Sequence, residues 1–143
     1  MNTIRHILQV KGFDTWFVRP ETTVFEALTQ MSDREIGALL VMEGERLAGI
    51  FSERDYARKV ILKGKASKDT PVSEIMTAKV FTIHPDQTVQ EAMQLMTEKH
   101  IRHLPVVEAE KVIGMVSIGD VVRDIIFQQK KLISQMESKI ISG

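Results

Sequence analysis

The side chains best suited to chemistry are two serine–aspartate pairs. Ser52 and Asp55 close the heptapeptide GIFSERD (49–55), and Ser117 and Asp120 close GMVSIGD (114–120), so Gly, Ser and Asp recur at one spacing 65 residues apart. An ionised aspartate only accepts hydrogen bonds, and one carboxylate can hold two donors at once. Ser-x-x-Asp is equally a capping box, in which the two side chains satisfy free N–H groups at a helix start. One copy therefore says little. A second copy suggests that the two are halves of one kind of site. No Ser-His-Asp set, carboxylate dyad, Walker loop or Gly-x-Gly-x-x-Gly fingerprint can be picked out, so the chain reads as a non-enzyme. His100 and His103 are spaced like a ligand pair, but no further ligands gather beside them and no metal is expected.

The elements that must position these pairs are themselves repeated. Shifted by 65 residues, Val18–Ile61 aligns with Ile83–Ile126 without a gap, and 16 of the 44 pairs are identical. The identities include Pro20/Pro85, Thr23/Thr88, Glu26/Glu91, Met31/Met96, Gly49/Gly114 and Arg58/Arg123. The chain is a tandem duplication. Each copy predicts a short strand (Thr15–Val18, Val80–Ile83) stopped by a proline, then a helix. Thr23 with Glu26, and Thr88 with Glu91, have capping-box spacing. Val24, Ala27, Leu28 and Met31 follow at helical period, as do Val89, Ala92, Met93 and Met96.

The apolar runs GALLVM and LPVV suit strands buried on both faces. A polar turn (Glu43–Arg46, Glu108–Lys111) leads to a second strand, LAGIF or VIGMV, and the heptapeptides open a final helix. The predicted unit is β-α-β-β-α, twice, in a mixed α/β (α+β) fold. A single small sheet leaves one face bare, so the two are expected to pack sheet to sheet about a pseudo-twofold axis, with a cleft on either side. The expected segments are 1–64 for the first repeat with its N-terminal extension, 65–78 for a linker, 79–127 for the second repeat and 128–143 for a C-terminal helical extension. Leu62–Met76 reads as an exposed connection. Ile126, Ile133 and Ile140, with Leu132 and Met136, form an apolar stripe that suits either docking on the chain's own core or a dimer contact.

Bulk properties narrow the partners. The 143 residues carry 19 Lys and Arg against 19 Asp and Glu, so no overall basic field exists to hold a nucleic-acid backbone. There is no cysteine, hence no disulfide and no thiolate chemistry. The longest apolar run, Ala38–Met42, is five residues, far short of the ~20 a spanning helix needs. The N-terminus has no signal-peptide pattern. A cytoplasmic protein is expected, with neither nucleic acid nor membrane as partner.

Two copies of Pro-x-x-Thr-Val-x-Glu-Ala, then Leu-x-Val, then Gly-x-x-Ser-x-x-Asp, resemble the CBS domain, named after cystathionine β-synthase. The arrangement is similar to stand-alone bacterial CBS pairs and covers nearly all of residues 13–127. The resemblance implies a regulatory module that binds adenosine-containing ligands (AMP, ADP, ATP, NAD(H) or S-adenosylmethionine) in the clefts between the repeats, with no catalytic cofactor. It implies that Asp55 and Asp120 bind ribose, where one carboxylate takes both hydroxyls of a cis-diol.

Phosphate and sugar oxygens would meet Ser52 and Ser117, with Arg54, Arg58, Arg102, His103 and Arg123 as further contacts. Adenine would lie against Thr15, Trp16, Ile36, Lys79, Val80, Phe81 and Ile101. Arg102-His103 stands where the first copy has Gly37-Ala38, and Arg54 where the second has Gly119, so the two sites are expected to be unequal. A homodimer and an unidentified regulated protein are the expected partners. The alternative is a structural or protein-interaction module with ligand-free clefts.

Overall fold

The computed structural model describes residues 2–142. Its elements run α1 (Ile4–Lys11), β1 (Phe17–Val18), α2 (Val24–Arg34), β2 (Ala38–Glu43), β3 (Arg46–Ser52) and α3 (Glu53–Tyr56), then a π-helical turn (Ala57–Ile61) and a 3-10 turn (Val72–Glu74). They continue with α4 (Val89–Lys99), β4 (His103–Glu108), β5 (Lys111–Ser117) and α5 (Ile118–Ser142). The β-α-β-β-α order is complete in the first repeat, and its α-β-β-α part recurs in the second. The first strand of the second copy, expected over Val80–Ile83, is reduced to a single parallel bridge between Ile83 and Val106.

The chain divides into two compact units. One comprises Asp14–Phe81 with Ala109–Val112, and the other Met1–Phe13, Thr82–Glu108 and Ile113–Gly143. They are called here the first-repeat and second-repeat units. The N-terminal segment thus groups with the second repeat, and the segment between the repeats with the first.

In the first-repeat unit, β2 is central, parallel to β1 (Phe17 opposite Leu40) and antiparallel to β3 (Leu40 opposite Ile50). Leu39 and Val41 of β2 join Phe51, Val24, Ala27 and Met31 in the core. Helix α2 starts where Thr23 Oγ1 accepts the Glu26 N–H at 3.2 Å. Among the described residues the reciprocal half of that cap is formed only in the second repeat, where Glu91 Oε1 accepts the Thr88 N–H at 3.3 Å.

The stretch after the π-helical turn is exposed only over part of its length. Val72 and Ile75 are fully buried in the same core, and Ile50 and Thr77 exchange backbone hydrogen bonds at 3.0 and 2.9 Å. The small sheet leaves apolar surface that this segment covers, which is why it cannot be a free connection. Gly49 is the point of closest approach. A Cβ there would lie 2.6 Å from Met76 Sδ and 2.9 Å from the Thr77 carbonyl.

The second-repeat unit solves the same problem with α1. Ile4, Ile7 and Leu8 are its buried face. Leu8 occupies the space beside Gly114, where a Cβ would come within 2.8 Å of Leu8 Cδ2. The helix is held by Ile4 N–H to the Gln87 carbonyl (2.9 Å) and Arg5 N–H to the Pro85 carbonyl (2.8 Å). The Asn2 carbonyl in turn accepts the Val89 N–H at 2.9 Å, at the start of α4.

Candidate functional site

Each serine–aspartate pair sits where a strand passes into a helix. In the second-repeat unit, β5 ends at Ser117 and α5 begins at Ile118, whose N–H is accepted by the Arg102 carbonyl at 2.8 Å. The Ser117 N–H donates to Asp120 Oδ2 at 2.8 Å, and the Asp120 N–H to Ser117 Oγ at 3.2 Å. Two cations complete the carboxylate's surroundings. Lys11 Nζ lies 2.7 Å from Oδ2 and also donates to the Met115 carbonyl at 3.0 Å. Arg123 Nη2 lies 2.8 Å from Oδ1. The Asp120 side chain is 8% exposed, whereas Lys11 and Arg123 are 38% and 74% exposed. Both partners reach the carboxylate from the solvent side, whereas the carboxylate itself is nearly buried.

The charges settle accordingly. Burial alone would raise the Asp120 pKa, but the Lys11 hydrogen bond, the Ser117 N–H and the Lys11 charge outweigh it and hold the carboxyl below its ordinary range. His103, at the start of β4, is pushed below the usual histidine value by burial. Asp120 opposes that push, while Lys11 and Arg102 add to it. At neutral pH the site presents one carboxylate, the two cations that touch it and a neutral imidazole.

The first-repeat unit builds the same junction with different company. Ser52 and Asp55 form a complete capping box, with the Ser52 N–H donating to Asp55 Oδ2 at 3.0 Å and the Asp55 N–H to Ser52 Oγ at 3.3 Å. Ser52 Oγ adds a contact to Oδ2 at 3.1 Å. Thr77 Oγ1 donates to Oδ1 at 3.1 Å, and Lys59 Nζ lies 3.1 Å from the same oxygen. Four donors saturate a carboxylate with about four acceptor sites. Lys59 stands in for Arg58 because the chain after Tyr56 winds as a π-helical turn, which changes which side chain returns to Asp55.

The CBS domain profile matches residues 10–62 and 72–126. The chain belongs to the CBS domain family. It is 41% identical over 150 residues to the CBS domain-containing protein CBSX3, mitochondrial, of Arabidopsis thaliana, covering 99% of this chain and 73% of the relative. A putative signal-transduction protein with CBS domains from Burkholderia ambifaria MC40-6 superposes with a TM-score of 0.87 at 47% identity, over 90% of this chain and 96% of that one. The CBS domain pair of protein MJ0100, solved with 5′-methylthioadenosine and S-adenosyl-L-methionine, matches at TM-score 0.78 and 25% identity, over 87% and 99%. The chain is a CBS pair, a regulatory module by family.

The remaining expected residues divide between the two CBS units. Ser117, Asp120, Arg123, Arg102 and His103 share the second-repeat unit, with half-buried Ile101 following α4. In the first-repeat unit, Ile36 lines a groove with Gly37 and Glu53 of the Ser52 junction, and the Gly37 carbonyl accepts the Glu53 N–H at 3.2 Å. Thr15 and Phe17 line a separate cavity of about 270 Å³ with Leu40 and Met42.

Trp16 has the Arg34 guanidinium stacked 3.5 Å from its ring centroid. Arg54 and Arg58 are exposed, and Lys79, Val80 and Phe81 run irregularly after Thr77. Lys11 and Thr77, which touch the two aspartates, escaped sequence reasoning. Ile7-Leu8 and Ile75-Met76 mark their segments as equivalents, but at an offset of 68 rather than 65.

The described residues also hold a His84, Asp86 and Glu108 cluster with ligand atoms within 4.8 Å. The Arg5 guanidinium bridges Asp86 and Glu108, so both carboxylates already have a cationic partner.

Proposed function

We propose that this CBS pair is a sensor for an adenosine-containing ligand, AMP, ADP, ATP or NAD(H), and that binding rather than turnover is its biochemical act. The observation that carries the reading is the company of Asp120: a nearly buried, ionised carboxylate held by Ser117 and touched by Lys11 and Arg123. A cis-diol needs an acceptor, and a phosphate needs cations a few ångströms away. Arg123, the most exposed partner, gives up Asp120 Oδ1 to the ribose hydroxyls and turns to the phosphate. Lys11 keeps the carboxylate charged throughout. The adenosine compounds bound by the MJ0100 pair support the same ligand class.

Asp55 and Ser52 take the corresponding role in the first repeat, with Arg54 and Arg58 as cations. Asp55 must first shed one of its four donors, so its site is the weaker. Thr15, Trp16, Ile36, Lys79, Val80, Phe81 and Ile101 remain the residues proposed to face adenine. The ligand shifts the pair between states that a regulated protein, or a second copy of the chain, distinguishes.

Calorimetric titration with AMP and ATP tests this. Asp120→Ala is expected to lose about 2 kcal/mol of binding, roughly thirtyfold in Kd, while Asp55→Ala loses less affinity and more thermal stability. Equal binding by Asp120→Ala and the parent would remove the ribose assignment. The saturation of Asp55 favours one competing reading, that both aspartates are helix caps in a ligand-free interaction module. Under it, no adenine nucleotide raises the melting temperature.

A further inference from the structure

We infer that the C-terminal part of α5 is a self-recognition surface, on which a second copy of this chain pairs antiparallel. Beyond Gln128 every described residue of α5 is exposed, including Leu132 (53%), Ile133 (54%), Met136 (56%) and Ile140 (80%). At 100° per residue, Ile126, Ile133 and Ile140 lie along one line, with Met136 and Leu132 to one side of it. A bare apolar stripe of this kind on a lone helix is unfavourable in water and marks a contact surface.

Charge chooses the occupant and the direction. Lys130 and Glu137 flank the stripe on its other side, seven residues apart, and neither is ion-paired among the described residues. A twofold axis normal to the helix near residues 134–135 stacks Ile133 on the partner's Met136, and Gln129 on the partner's Ile140. That register sets Lys130 beside the partner's Glu137, and Glu137 beside the partner's Lys130. The surface is complementary to itself, which is what an isologous contact requires. On the opposite flank Leu132 packs under the aliphatic stem of the partner's Lys139.

A parallel pair lacks this match, because Lys130 would then face apolar Ile125 and Glu137 would face Leu132. Gln129 at the seam disfavours a sliding register in which it would be buried at the centre.

Sedimentation velocity of the full chain over a concentration series provides the test. The parent is expected to dimerise, and Ile133→Glu to weaken the dimer by roughly tenfold or more, with the circular dichroism spectrum unchanged because position 133 is exposed. Lys130→Glu is expected to weaken it less, and Lys130→Glu combined with Glu137→Lys to restore it. A parent that stays monomeric overturns the proposal, as does an Ile133→Glu variant that sediments like the parent. A charge reversal that the second reversal fails to rescue overturns the antiparallel direction. None of these readouts depends on nucleotide, so failure here leaves the ligand reading intact.

Discussion

Asp55 and Asp120 occupy matched positions in the duplication but keep different company. The sequence makes both legible as caps and as candidate sugar acceptors, because Ser-x-x-Asp spacing serves either use. The third and fourth donors are not legible. Lys11 and Thr77 come from segments outside the gapless alignment, and the Lys59-for-Arg58 exchange depends on a π-helical turn with no sequence mark. His103 adds a consequence for pH. Its folded pKa is lowered by burial, so around and below pH 6.5 the unfolded chain binds the proton more readily than the folded one. Stability therefore falls as pH drops from about 7 towards 5. His103→Ala copies Ala38 of the first repeat, and thermal melts across that range should show a shallower decline than the parent. The Asp120 contribution has the opposite origin, a depressed carboxyl pKa, and is lost only below about pH 4, as pH falls through its folded value.

At the scale of elements, helices α2 and α4 and strands β2 to β5 were readable because their apolar periods and caps agree with their packing. The weak first strand of the second repeat was not, since Ile83 alone bridges to Val106 and the ladder never propagates. The two hairpins differ in a way that predicts stability. The β2–β3 turn places Gly44 at φ 64°, which glycine adopts freely, while the β4–β5 turn holds Ala109 at φ 52° and Glu110 at φ 66°. A side chain in the left-handed region costs roughly 1–2 kcal/mol. Ala109→Gly copies Gly44 and should stabilise the fold by about 0.5–1 kcal/mol after the extra chain entropy of glycine is subtracted. In urea unfolding the midpoint should rise with the slope unchanged; an unchanged or lower midpoint would mean that the turn carries no strain.

Across the whole chain, each CBS unit is completed by a segment that precedes the other repeat. Ile4, Ile7 and Leu8 belong with the second repeat, Val72 and Ile75 with the first. The segment with Val72 and Ile75 directly follows its own repeat, but α1 is separated from the second repeat by the whole first one, so in chain order the two units interlock. The exposed stretch around Gly64 is the natural place to divide it, because its backbone meets no core. A fragment of residues 1–64 then lacks Val72, Ile75 and Met76, and one of residues 65–143 lacks α1, each leaving several fully buried apolar side chains uncovered. At about 1.5–3 kcal/mol per buried side chain, the loss exceeds what a half-chain of this size can spare. Neither fragment is expected to fold alone, whereas mixing them should regain the parent's circular dichroism spectrum in a concentration-dependent step. If the 65–143 fragment melts cooperatively by itself, α1 is only an ornament on the second repeat and the interlocking argument fails.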